Sequence, residues 1–214
     1  MRDGERMAAG AWPVMGAEFD EAVNGSETRG DEDVRLVARL AARDRDALVE
    51  LYARYQRPLF GYLLRLAADR GLAEELLQDT LVAAWTSAAS FAGRSSVRTW
   101  LFGIARRQAH NTLRRHYLPL AAAADADVAL DETPDGDPGP EDRALAGADR
   151  SDMIDALSRL SPAHREVLVL ALVQGMPQPE LAAVLGTPLG TVKSRLHHAK
   201  AALRRALTAG KEEG

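Results

Sequence analysis

The 214-residue chain contains no cysteine, which excludes disulfides and thiolate metal sites and permits an intracellular location. No apolar run approaches the length of a bilayer span. The N-terminus also lacks a basic start followed by an uninterrupted apolar stretch, so neither membrane insertion nor secretion is expected. No alternating apolar and polar pattern marks a strand. No glycine-rich phosphate loop appears, which argues against ATP-driven work. The five histidines, at 110, 116, 164, 197 and 198, show no zinc-type pairing, and the adjacent His197 and His198 point about 100° apart on a helix. No metal, cofactor or catalytic centre is therefore expected. An enzyme ranks behind the binding functions.

What remains is a soluble, helix-forming chain with an apolar fraction of 46%, enough for one large or two small domains. The formal charge of -4 looks unsuited to nucleic acid until it is resolved by segment. Residues 1 to 33 carry -6, 34 to 117 carry +7, 118 to 153 carry -8 and 154 to 209 carry +4. Two basic modules are thus preceded and separated by acidic segments, and only the modules have the electrostatic footprint of a nucleic-acid binder.

The expected organisation follows that alternation. Residues 1–33 lack sustained periodicity and read as a disordered acidic extension. Residues 34–117 read as four helices: Val34 to Ala42, Asp44 to Ala67, Leu72 to about Ala88, and one capped near Ser96 that runs to about His116. The scarce aromatics, 5% of the chain, concentrate here. Residues 118–150, with three prolines after an alanine run, read as a flexible acidic linker held extended by self-repulsion. Residues 151–209 form a second helical module, and 210–214 a tail. The fold class expected is all-α, two small helical domains joined by the linker.

The stretch MPQPELAAVLGTPLGTVKSRLHHAKAALRRAL, from Met176 to Leu207, reads as helix, tight turn and longer basic helix. Gly186 suits a left-handed helix end, and Thr187-Pro188 offers an N-cap with proline at the first helical position. Leu189, Val192, Leu196, Ala199 and Leu203 recur at helical spacing on one stripe, leaving Thr191, Ser194, Arg195 and His198 to the other face. Small residues followed by cations suit a helix that enters the DNA major groove.

The first module carries two further surfaces. Glu74, Glu75, Gln78 and Asp79 make a compact acidic patch on an otherwise basic module. The loop SFAGRSSVR, residues 90 to 98, and the following helix with Arg106, Arg107, His110, Asn111, Arg114 and Arg115 suit single strands or a groove.

The order of these parts is more specific than any one of them. An acidic-faced helix ending in Trp85, a small polar loop, WLFGIAR on an arginine-rich helix, an acidic linker, then LSPAHREVLVLALVQG and PLGTVKSRLHHAKAALR together resemble the extracytoplasmic-function group of bacterial sigma factors. That resemblance covers roughly 34 to 117 and 151 to 208. It implies a non-catalytic, cytoplasmic subunit that binds core RNA polymerase and promoter DNA, both duplex and single-stranded, and directs transcription initiation.

By the same resemblance, Glu74, Glu75, Gln78 and Asp79 would dock on the clamp of the largest polymerase subunit. Phe91, Arg94, Ser95, Arg98, Arg106, Arg107, His110, Asn111 and Arg114 would handle the minus-ten element, with melting by capture of unpaired bases. Thr191, Lys193, Ser194, Arg195 and His198 would read the minus-thirty-five duplex. The linker would thread the active-site cleft, and an anti-sigma factor would be a further partner. Two departures from the family pattern stand out: Arg107 where many members have asparagine, and Pro177 and Pro179 flanking Gln178. The competing function is a stand-alone helix-turn-helix regulator.

Overall fold

The structure is a computed structural model that describes residues 19–117 and 150–212; the linker segment expected over 118–150 lies outside these except for Arg150. The described chain is helical, with no strand among the described residues. The first domain comprises α1 (Phe19–Ala41), α2 (Arg45–Ala67), α3 (Arg70–Ser87), a single 3-10 turn (Ala88–Ser90) and α4 (Val97–Tyr117). The second comprises α5 (Arg150–Ser158), α6 (Pro162–Leu168), a π-helical turn (Val169–Val173), α7 (Gln178–Leu185) and α8 (Leu189–Glu212). Among the described residues no helix is long and apolar enough to cross a membrane.

Local chemistry accounts for most of the boundaries. Asp44 accepts from the backbone N–H groups of Asp46 and Ala47 and caps α2, and Asp69 caps α3 through Leu72 N–H at 2.7 Å. Ser96 Oγ accepts from Thr99 N–H at 3.1 Å at the head of α4, and Ser161 stands before Pro162 at the head of α6. Pro58 is accommodated inside α2.

Two boundaries differ from those the sequence suggests. α1 begins at Phe19, well inside the segment expected to be disordered up to residue 33, and Asp33 within it is a packing residue. It is buried on the same helical face as Leu36, Val37 and Leu40, where it accepts from Tyr55 Oη and Arg54. Burial and the neighbouring Asp33 carboxylate together push the Tyr55 phenol well above its ordinary range, so the donor stays protonated. α8 likewise runs to Glu212, past the boundary expected at 209.

The first domain closes around Leu51, Leu59, Tyr62, Leu63, Leu76, Leu101 and Phe102, none of them more than marginally exposed. Tyr62 and Phe102 meet with ring centroids 5.3 Å apart at 59°, a tilted contact that locks α2 against α4. α1 returns toward α2 through a turn in which Arg43 adopts φ 66°, a conformation that costs a non-glycine residue about 1 kcal/mol or more. Its guanidinium lies over the Trp85 ring and donates to Trp85 O at 3.0 Å, so contacts with α3 offset that strain.

In the second domain Val192, Leu196, Ala199 and Leu203 of α8 face Val167, Leu168 and Leu170, with Leu181 and Leu185 of α7 closing the core. Arg165 crosses from α6 to donate to the carbonyls of Leu157, Ser158 and Leu160, which ties the end of α5 to the head of α6. The two domains then rest on each other, chiefly through α4 against α7 and α2 against α6 and the π-helical turn.

Candidate polymerase and nucleic-acid interface

On α3 the four acidic-face positions Glu74, Glu75, Gln78 and Asp79 are all exposed, while Ala73, Leu76, Leu77, Thr80 and Ala84 point into the core. Arg70 pairs with Glu74 at 3.0 Å and lies over the ring of Phe60. Beside the acidic face runs an open groove between α2 and α3 with a volume of about 410 Å³. Tyr52, Phe60, Leu77 and Leu81 contribute its apolar surface, and Glu74 and Gln78 its rim. An apolar groove bordered by carboxylates is suited to a protein surface that carries both apolar and basic residues.

Of the candidate minus-ten residues, Arg94 of the loop is exposed, and Gly93 takes φ +67°, open to glycine without strain. Phe91 is half-buried, its ring 5.1 Å from that of Trp100. Ser95 is half-buried. Along α4 the polar residues divide between two sides of the helix. Arg107, Asn111 and Arg114, spaced four and three apart, are exposed.

Arg98, Arg106 and His110 instead face the second domain. Arg98 donates to Gln174 O and lies over the Phe102 ring. Arg106 Nε and His110 Nε2 approach the same oxygen, Glu166 Oε1, at 3.1 and 3.0 Å, and Tyr62 Oη donates to it at 3.0 Å. Burial alone would raise the Glu166 carboxyl, but His110 and Arg106 hold it below its ordinary range, so it stays ionised. Burial and the adjacent Glu166 charge push the Tyr62 phenol far up.

The helix-turn-helix has the geometry its punctuation suggests at one position and departs from it at another. Gly186 ends α7 at φ 65°, and the N–H of Thr187 reaches back to Ala182 O at 3.2 Å, the pattern of a left-handed helix end. Thr187 does not cap α8 with its side chain, because its backbone is taken up in closing α7, and its Oγ1 is buried without a hydrogen-bond partner. Pro188 O instead accepts from Val192 N–H at 3.1 Å, so α8 starts one residue later than expected.

On α8, Lys193 is exposed, whereas Thr191, Ser194, Arg195 and His198 are partly covered. The Ser194 hydroxyl is buried without a hydrogen-bond partner. His164, at the head of α6, joins this cluster: burial lowers its pKa, and His198, Arg195 and Arg205 lower it further. Sequence reasoning missed His164 because it sits outside the recognition helix. Its place three residues after a capped helix start was the only available signal.

Comparison with known proteins identifies both halves. Residues 51–117 match sigma-70 region 2, and residues 150–203 match sigma-70 region 4. The chain is 33% identical to the ECF RNA polymerase sigma factor SigL of Mycobacterium tuberculosis over 169 residues, 78% of this chain and 93% of that protein. The structure of CnrH in complex with the cytosolic domain of CnrY superimposes with a TM-score of 0.60 at 27% identity, covering 83% of this chain and 97% of that one. That of the sigma factor RpoE with the anti-sigma factor NepR from Bartonella quintana gives 0.57 at 28%, covering 74% and 95%.

The fold and its two modules are thus those of a sigma-70-type initiation factor. The chain belongs to the extracytoplasmic-function sigma factors, and its role is in transcription initiation with RNA polymerase. A region 2 module in front of region 4 displaces the stand-alone regulator as the competing reading.

Proposed function

We propose that the chain docks on the clamp of the largest polymerase subunit through Glu74, Glu75, Gln78 and Asp79, with the apolar groove of α2 and α3 taking part. In this reading α8 places the minus-thirty-five duplex against Lys193, Arg195 and His198, and the loop at Phe91 to Val97 with α4 captures minus-ten bases once they are unpaired. Binding energy available only to the open strand shifts the equilibrium toward melting, without nucleotide hydrolysis. The setting is the cytoplasm, where the polymerase works, and an anti-sigma factor is the expected inhibitor, since structural relatives were solved with protein partners.

The observation that carries this reading is the acidic face of α3, exposed on a basic domain and bordering an apolar groove. Pull-down of purified core polymerase tests it. Combined Glu75→Arg and Asp79→Arg should abolish core binding and run-off transcription while leaving duplex binding by the chain unchanged. Normal assembly of that variant would remove the clamp assignment.

A further inference from the structure

Arg43 fills a position that glycine usually takes. Its N–H donates to Leu40 O at 3.0 Å and the N–H of Asp44 to Arg39 O at 3.1 Å, the paired bonds that close a helix through one left-handed residue. A side chain at φ 66° adds strain there that glycine would not, so the turn itself gives no reason for arginine. The reason lies 42 residues further on, where the guanidinium donates to Trp85 O at 3.0 Å and stands 5.4 Å from the centre of the Trp85 ring. A cation on a carbonyl in the last turn of a helix is favoured by the helix dipole as well as by the hydrogen bond. The turn between α1 and α2 thus clamps the end of α3.

From that clamp to Phe91 the chain is tightly bonded. Ser87 Oγ donates to Ala83 O at 2.6 Å, Ser90 Oγ to Ser87 O at 2.7 Å and Phe91 N–H to Ala88 O at 3.1 Å. Ala88 is buried, and α1 packs against the 3-10 turn. The Phe91 ring then meets Trp100 of α4, and Ser96 and Thr99 share a hydrogen bond at 2.8 Å where the chain re-enters a helix. Between these anchors Ala92, Gly93 and Arg94 stand exposed. The loop is held at both ends with its tip free, and Arg43 holds the α3 end from outside it.

We propose that Arg43 is a positioning residue for strand capture: by fixing the last turn of α3 it sets the exit direction of the loop that receives the unpaired minus-ten bases. What the loop does rests on the proposed capture of those bases, whereas the positioning rests on the geometry alone. A loop that is already ordered loses less free energy when it binds, so loosening it weakens capture without removing any base contact.

Arg43→Gly separates side chain from backbone, since it relieves the left-handed strain and removes the hold on Trp85. A full-length chain carrying fluorotryptophan gives one fluorine resonance for each of its three tryptophans, and Trp100 reports on the loop through its contact with Phe91. The variant is expected to move or broaden the Trp85 and Trp100 resonances while its thermal midpoint stays near that of the parent chain. In holoenzyme assembled with purified core polymerase it should lower run-off transcription from a genomic promoter library by about three- to tenfold, the range expected when one or two more side chains must be immobilised on binding. Pull-down of core polymerase should be unchanged, and Arg43→Lys, which keeps a donor cation at the site, should fall between.

Arg43→Asn, which also tolerates the left-handed backbone, replaces the glycine variant if that does not fold. An unchanged Trp100 resonance in a folded variant overturns the positioning role whatever transcription does. An equal loss in core pull-down overturns it too, because Arg43 would then act through docking. A displaced Trp100 resonance with full run-off transcription overturns the role in strand capture and counts against the loop as the capturing element. Phe91→Ala tests the loop separately: loss of run-off transcription with normal core binding keeps that reading standing even where Arg43 fails.

Discussion

α4 and α8 are both long, basic, amphipathic helices, yet the titratable groups beside them, Glu166 and His164, respond in different ways. On α4, Arg106 and His110 converge on the buried carboxylate of Glu166. Beside α8, burial disfavours the His164 proton, and the nearby like charges of His198, Arg195 and Arg205 add to that. The first helix holds a neighbouring carboxylate ionised, whereas the second stands beside a histidine whose proton it helps to disfavour. Basic composition alone does not separate these situations. What separates them is which titratable group the fold places beside each helix.

The largest way to break the contrast is Glu166→Lys, which sets a third cation against Arg106 and His110. Loss of a buried ion pair of this kind costs about 3–5 kcal/mol. The domains should undock, and calorimetry should resolve two thermal transitions, while duplex binding through α8 is retained. A single unaltered transition would mean that α4 does not depend on Glu166. Next in size, Arg195→Ala should weaken minus-thirty-five duplex binding by about tenfold and lower the salt slope by about one. Unchanged affinity in a filter-binding titration would place the reading face elsewhere on α8.

Acid should move the two regions apart. Glu166 lies below its ordinary pKa of 4.5, so its stabilisation is fully present above that value and is lost as pH falls through the lowered one, with Tyr62, Arg106 and His110 facing it. His164 lies below its ordinary 6.5, so the free domain loses stability as pH falls through that range. A phosphate beside it would favour the proton, so duplex affinity should rise by about two- to threefold between roughly pH 7 and pH 5.5 while the domains stay docked. Fluorescence anisotropy with His164→Gln as control checks this, since the variant should show a flatter profile. The smallest effect is expected at the entry to α8. Thr187→Val removes a buried hydroxyl without a hydrogen-bond partner and should be neutral or stabilising by up to about 1 kcal/mol. A clear loss in a denaturant titration would show that the hydroxyl caps the helix in solution.

Much of the helical layout was legible because it depends on neighbours in sequence. Ser96, Ser161 and Gly186 mark helix ends through bonds made within a few residues, and the stripe of Val192, Leu196, Ala199 and Leu203 is a matter of helical pitch. Asp33 escaped that logic because a carboxylate on an apolar stripe signals solvent until a distant Tyr55 and Arg54 bury it. Thr187 misled for the opposite reason: two helix ends compete for one short turn, and the αL closure of α7 uses its backbone first. The division of α4 into a covered and an exposed side was equally hidden, since Arg98, Arg106, Arg107 and Arg114 look alike in sequence.

By itself the sequence determined the all-helical character, the two basic modules, the helix-turn-helix and the acidic face of α3, since each follows from local propensity, periodicity or charge. Only the tertiary structure decided what Glu166 does. Its donors lie 56, 60 and 104 residues away in the chain, and within the run REVLVL it reads as one more solvated charge. Whether a carboxylate faces water or a distant arginine is set by the docking of one domain on the other, which no local spacing encodes.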